Sequence, residues 1–290
     1  MKIYVDENMP FAKEFFSSLG EVQSFAGREV KSSDIADADV LLVRSITKVN
    51  RALIENCKNL SFVGSATIGF DHIDREYLSE RGIPFYSAPG CNAISVADYV
   101  TSAICVLSER YGFDFREKTV GIIGAGNTGS RIAEKLTALG VKHCLYDPLL
   151  EDAGDSRAFV SLEEALSADI VSLHVPKTTT GDYPTFHLLN EERLSSFKEN
   201  QILINACRGE VIDNKALLKL KQAGHGLKLV LDVWENEPKP LSELIDYTEI
   251  ATAHIAGYSF EGKSRGTEML YQALCKEKAI APSVTLAAIL

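Results

Sequence analysis

Short apolar runs alternating with amphipathic stretches recur in two series along this chain, and that alternation leaves few folds open. In the first ninety residues the runs at 2–6, 40–43, 61–65 and 84–87 read as strands, with amphipathic segments such as 10–19 between them. The second series starts at 119–124 and continues through 142–146, 169–175, 201–206 and 228–233. Strands separated by helices close into parallel sheets through right-handed crossovers, which puts the ligand-facing loops at the carboxyl ends of the strands. The expected fold class is therefore α/β, with two doubly wound, Rossmann-like lobes and a cleft between them. A mostly apolar stretch of helical spacing at 92–111, after the Pro89-Gly90 turn signal, reads as an interdomain helix. The segment after His254 is too short to fold alone and is expected to return and complete the first lobe. The resulting boundaries are 1–92, 93–254 and 255–290.

Within the second series, Val120-Gly121-Ile122-Ile123-Gly124-Ala125-Gly126-Asn127-Thr128-Gly129 joins a buried-type strand to an amphipathic helix through a GxGxxG turn. Gly124 permits the tight turn, Gly126 lets a pyrophosphate approach the backbone, and Gly129 lets helix and strand pack. The helix start offers unpaired N–H groups and a positive dipole end to phosphates. Asp147 ends the next strand, 23 residues after Gly124 (147 − 124), where a carboxylate accepts from both ribose hydroxyls and repels a 2′-phosphate. This pattern predicts NAD rather than NADP.

Three further residues follow later strands of the same series. Arg208, in Asn205-Ala206-Cys207-Arg208-Gly209, carries a planar fork suited to a carboxylate. His254 follows the apolar run 250–253 and precedes a small-residue loop, and its ordinary pKa near ~6.5 suits a group that takes and gives a proton at neutral pH. Glu237, in Trp234-Glu235-Asn236-Glu237-Pro238, can fix the imidazole tautomer and favour its protonated form. A carboxylate clamp, a base and an orienting acid beside a dinucleotide site are what the oxidation of a hydroxy acid requires.

Other classes are disfavoured. A formal charge of −10 repels polyanions, which argues against nucleic acid and anionic membranes as partners. No apolar run approaches the ~20 residues that span a bilayer, and the amino terminus reads as a strand rather than a signal peptide, so a cytoplasmic location is expected. Six scattered cysteines without a CxxC pair read as free thiols, and six dispersed histidines without zinc spacing predict no metal.

Arg208, Glu237 and His254 in this order, together with the GxGxxG turn, resemble the D-isomer-specific 2-hydroxyacid dehydrogenases. The likeness extends to Val43-Arg44-Ser45, to Gly69-Phe70-Asp71-His72-Ile73-Asp74 and to Gly90-Cys91-Asn92-Ala93. It implies a flavodoxin-like substrate lobe beside an NAD-binding lobe. It also implies that Arg208 and Glu237 are catalytic, that His254 is the proton donor, and that Ser45, Thr67 and Tyr258 contact substrate. NAD would be touched by Gly124, Gly126, Asn127, Thr128, Gly129, Asp147, Val175, Ala206, Cys207, Arg208, Asp232 and Gly257. Val175 stands where the family often has threonine, so only its backbone can serve there. Within the family, the sequences around Arg208, Trp234 and His254 point to a small phosphorylated hydroxy acid as substrate. Arg44, Lys263 or Arg265 would supply the cation for its phosphate. The family usually carries a further C-terminal dimerisation domain, whereas this chain stops at Leu290, as a short variant or a truncated one; the family's own dimer contact is then not carried over, and a homodimer through the nucleotide-binding lobe stays open. Two rival readings stay open: another dehydrogenase of the family, acting on phosphoglycerate, glycerate or glyoxylate, and a nucleotide-sensing binding protein of the same fold.

Overall fold

The computed structural model describes residues 1–290. In chain order the strands are β1 (Lys2–Asp6), β2 (Glu21–Phe25), β3 (Val40–Val43), β4 (Phe62–Ser65), β5 (Phe85–Tyr86), β6 (Thr119–Ile123), β7 (Lys142–Tyr146), β8 (Ile170–Leu173), β9 (Ile202–Asn205), β10 (Lys228–Leu231) and β11 (Ile250–Ala251). The helices are α1 (Ala12–Phe16), α2 (Arg51–Ile54), α3 (Arg75–Glu80), α4 (Ala93–Tyr111), α5 (Asn127–Ala138), α6 (Pro148–Asp152), α7 (Leu162–Leu166), α8 (Glu191–Ser195), α9 (Asn214–Gln222), α10 (Ser242–Ile245), α11 (Phe260–Glu277) and α12 (Leu286–Ile289). They fall into two compact units, Met1–Asn92 with Tyr258–Leu290, and Ala93–Gly257.

The first unit is a five-stranded parallel sheet in the order β2-β1-β3-β4-β5, the flavodoxin-like arrangement. Because side chains alternate along a strand, Ile3, Val5, Val40, Leu42 and Phe62 face one way. They pack against Phe15 and Phe16 of α1 and Leu270, Tyr271 and Leu274 of α11. Tyr4, Leu41, Val43 and Val63 face the other way, onto Leu53, Ile54, Tyr77 and Leu78. The returning segment thus supplies one helical layer of this unit. A Cβ on Gly64 of β4 would come within 3.0 Å of Leu270, so glycine there lets α11 sit close. The edge strand β2 is absent from the sequence reading: Glu21-Val22-Gln23-Ser24-Phe25 has two apolar residues and is only partly covered.

The second unit is a six-stranded parallel sheet in the order β11-β10-β9-β8-β6-β7. A single bridge from Leu145 to Phe159 continues it beyond β7, a vestige of the outer strand of the full doubly wound order. The 92–111 stretch, read as an interdomain helix, is α4, and its apolar face belongs to this unit. Val96, Val100, Ile104 and Leu107 pack in one core with Val120, Ile122, Ile132 and Leu136. Helices α7, α8, α9 and α10 cover the opposite face through Leu162, Leu194, Leu217 and Leu244. Since β6 lies between β7 and β8, successive crossovers leave it in opposite directions. A crevice therefore opens at its carboxyl end.

Candidate active site

The glycine turn sits at that reversal point, and its three glycines have three separate reasons. Gly124 has φ +93°, a conformation that side chains rarely adopt, and a Cβ there would lie 2.6 Å from the His174 carbonyl oxygen. A Cβ on Gly129 would lie 1.9 Å from the Gly124 carbonyl oxygen, so α5 can approach the turn only with glycine at this position. A Cβ on Gly126 would meet nothing within 4 Å. The fold itself thus makes no demand for glycine at 126, and the space above it suits a ligand lying against the backbone. Gly126 is the N-cap of α5 and no side chain caps that helix, so the amino-terminal N–H groups beginning at Asn127 and Thr128 are left for an anion. These features fit the pyrophosphate of a dinucleotide.

Asp147 braces the turn as well as facing it. Its Oδ2 accepts from the Ala125 N–H (2.9 Å) and its Oδ1 from Leu150 N–H (3.2 Å), which caps α6. Arg157, which the sequence reading missed, donates to the Ala125 carbonyl (2.9 Å) and to Ser130 Oγ (2.9 Å). It also holds the Asp155 carboxyl down at about 2 through their hydrogen bonds. Nothing local in Asp155-Ser156-Arg157 announces this role, which depends on a contact 32 residues away.

After β8, Val175 is half-buried and packs on the core. After β9, the Asn205 side chain folds the loop on itself: Nδ2 donates to Arg208 O (2.9 Å) and Oδ1 accepts from Cys207 N–H (3.1 Å). Ala206 and Cys207 are half-buried. Burial pushes the Cys207 thiol up to about 11, so it is no nucleophile at neutral pH. The Arg208 guanidinium donates to the Cys207 carbonyl (2.7 Å).

The loop after β10 and the one after β11 meet at Glu237 and His254. Glu237 Oε1 accepts from the Trp234 N–H (2.9 Å), and Oε2 lies 2.8 Å from His254 Nδ1. The imidazole is half-exposed and keeps Nε2 for a partner outside this pair. The hydrogen bond to Glu237 raises the His254 pKa above its ordinary value, against the opposing effects of burial and of the Arg208 charge. Burial alone would raise Glu237, but the His254 bond and charge, the Trp234 N–H and the Arg208 charge hold it below the usual carboxylate range. Arg208 is thus close enough to act electrostatically on both partners.

His254 has a left-handed backbone (φ +56°), which costs a non-glycine residue on the order of 1–2 kcal/mol. The buried Asp232 holds that conformation. Its carbonyl accepts from His254 N–H (2.8 Å), and its carboxylate accepts from Thr252 Oγ1 (2.6 Å), Ile255 N–H (2.7 Å) and Ala256 N–H (2.9 Å). Asp232, expected at the cofactor, thus spends its carboxylate on the loop that carries His254 and the half-buried Gly257.

The first unit carries its own set, after β3 and β4 and on the returning segment from Tyr258. Ser45 is exposed after β3, and Tyr258 is 59% exposed. The Thr67 hydroxyl is engaged, donating to Gly69 O (2.9 Å) and lying 2.6 Å from Ser65 Oγ, which in turn meets His72 Nε2 (2.9 Å). The Arg44 guanidinium and the Lys263 ammonium both stand over the Tyr258 ring, at 5.9 Å and 4.3 Å from its centroid. Nη1 of Arg44 is buried without a hydrogen-bond partner, as is Oδ1 of Asn92. Arg265 is exposed.

The model of the D-isomer specific 2-hydroxyacid dehydrogenase NAD binding domain matches residues 96–256. The chain belongs to this family. Among individual relatives, the erythronate-4-phosphate dehydrogenase of Colwellia psychrerythraea is 58% identical over 99% of this chain and 78% of that protein. That of Tolumonas auensis is 55% identical over 96% of this chain and 74% of that protein. Among solved structures, D-lactate dehydrogenase from Aquifex aeolicus, complexed with NAD and lactic acid, is 28% identical with a TM-score of 0.75, covering 96% of both chains. The 3-phosphoglycerate dehydrogenase of Entamoeba histolytica, at 24% identity and a TM-score of 0.81 over 96% of this chain and 95% of that one, shares the fold.

Proposed function

We infer that this chain is an NAD-dependent dehydrogenase that oxidises C2 of 4-phospho-D-erythronate to the 2-oxo-3-hydroxy-4-phosphate acid, a step of pyridoxal 5′-phosphate biosynthesis. The observation that carries the mechanism is the Glu237–His254 pair at 2.8 Å, in the unit whose first strand ends in the glycine turn. NAD supplies the hydride acceptor when bound to the Gly124–Gly129 turn. Glu237 fixes His254 with Nδ1 towards the carboxylate, so Nε2 takes the hydroxyl proton in oxidation and returns it in reduction. Arg208 holds the substrate carboxylate. A location in a reducing compartment such as the cytoplasm belongs to the same reading, supported by six unpaired cysteines. No helix is long and apolar enough to cross a membrane.

The phosphate falls to Arg44, with Lys263 beside it. The Arg44 guanidinium is half-buried with Asp6 as its counter-charge, and its buried Nη1 has no hydrogen-bond partner, so an anion there would complete it, whereas the exposed Arg265 has no such need. Steady-state rates with NAD on erythronate, 4-phosphoerythronate, 3-phosphoglycerate, glycerate and glyoxylate test the proposal. The phosphorylated four-carbon acid should have the highest kcat/KM. Binding of NAD without turnover of any acid would favour a nucleotide-sensing protein instead. Arg44→Ala should lower kcat/KM for 4-phosphoerythronate about 100-fold, as expected for two lost charge-assisted hydrogen bonds, and change the unphosphorylated acid little. An unchanged ratio between the two acids would reassign the phosphate.

Asp147 gives a second expectation. Asp147→Ala removes both a ribose acceptor and the brace on Ala125, so KM for NAD should rise about tenfold or more. KM for NADP should rise less, or fall, because the repelling charge is gone. Equal changes for the two cofactors would remove Asp147 from cofactor selection.

A further inference from the structure

A second polar cluster lies in the same unit, built from His187, Asp213 and Glu235. His187 Nε2 is 2.6 Å from Glu235 Oε1, and its Nδ1 is 3.8 Å from Asp213 Oδ2. Such a trio suggests a metal centre, but its two carboxylates face opposite nitrogens of one ring. A single ion would need both carboxylates and one ring nitrogen turned to a common point. The arrangement is instead that of a hydrogen-bonded tie, and its connections lead to the catalytic loops.

Glu235 Oε2 accepts from Asn214 N–H (2.9 Å), and Asn214 Oδ1 accepts from Glu235 N–H (3.3 Å). The buried Asn214 also donates to Ile212 O (2.9 Å) and Gly209 O (3.4 Å). His187 N–H donates to Glu210 O (2.8 Å), and Leu189 N–H to Val211 O (3.0 Å). Gly209 is pressed so closely on the neighbouring loop that a Cβ would lie 1.9 Å from the Trp234 carbonyl carbon. One side of this tie is thus the residue after Arg208, and the other is two residues before Glu237.

We propose that His187 is a positioning residue: through Glu235 and Asn214 it clamps the loop bearing Glu237 onto the loop bearing Arg208. The spacing between the guanidinium and the Glu237–His254 pair is thereby fixed. This rests on the reading above, that those three residues carry the reaction. Misplacement of reacting groups by ~1 Å costs up to ~100-fold in rate, so a clamp remote from substrate still shows in turnover.

The test is steady-state kinetics of His187→Ala and His187→Gln in the full chain, with the unsubstituted protein as control. His187→Ala should lose about 10- to 100-fold in kcat/KM for the hydroxy acid, while KM for NAD changes by severalfold at most, since the clamp reaches the cofactor only through the 206–208 loop and has no bond to the Gly124–Gly129 turn. His187→Gln, whose amide can donate to Glu235, should recover most of the loss. Unchanged kinetics in His187→Ala overturns the proposal. So does a loss shared equally by NAD affinity and thermal stability and not recovered by glutamine, which marks a residue needed only for folding. If the unsubstituted protein oxidises no hydroxy acid, the functional reading has failed rather than the clamp. Amide hydrogen exchange then decides: faster exchange at Leu189, Val211 and Asn214 in His187→Ala, with that of the glycine turn unchanged, supports the clamp, and unchanged exchange at all of them refutes it.

Discussion

His254→Ala should lower kcat for oxidation at least ~100-fold, the usual loss when a positioned acid–base group is removed, with KM for NAD little changed. Nδ1 is committed to Glu237 at 2.8 Å, the backbone is held in a left-handed conformation by Asp232, and the ring is left with one free nitrogen. The pH profile carries the same information. With His254 as the proposed base, oxidation requires it neutral, so kcat/KM should rise with pH through a pKa above the ordinary ~6.5, because Glu237 favours the imidazolium. Reduction needs the protonated form and should fall through the same value. Glu237→Gln keeps the shape and loses the charge. Its acid limb should move to lower pH, with kcat also reduced as the tautomer is held less firmly. A near-normal rate in His254→Ala, or an acid limb unmoved in Glu237→Gln, would remove the pair from the mechanism.

Arg208→Ala should be at least as damaging. Two charge-assisted hydrogen bonds to a carboxylate contribute about 3–6 kcal/mol together, so kcat/KM for the hydroxy acid should fall ~10²- to 10⁴-fold. Arg208→Lys keeps the charge without the fork, and its loss should be smaller but still tenfold or more. The two variants separate charge from geometry. Equal activity of Arg208→Lys and the unsubstituted enzyme would show that a point charge suffices there.

Much of this arrangement was legible from residues. Continuous apolar runs such as Val-Leu-Leu-Val in β3 and Ile-Leu-Ile in β9 are buried on both faces of parallel sheets, so composition alone exposes them. The glycine turn was legible because backbone sterics permit little else at Gly124 and Gly129. Glu237 and His254 were legible as residues placed after strands, and a parallel sheet brings all such positions to one edge. Strand β2 was not, because an edge strand with one partly covered face lacks the apolar signal. Helix α11 was anticipated only as a returning segment, since its buried face includes Gly262, Ser264, Gly266 and Thr267, which carry no hydrophobic periodicity. Arg157 and His187 escaped for a different reason: their partners at Ala125 and Glu235 are 32 and 48 residues away, and no local pattern encodes such pairing.

The central claim is that a hydride leaves C2 of the acid while His254 takes the hydroxyl proton. Substrate deuterated at C2 tests this most directly. The account predicts that deuterium appears in the reduced nicotinamide and that turnover slows wherever hydride transfer limits it. Unlabelled NADH formed from the deuterated acid would contradict it.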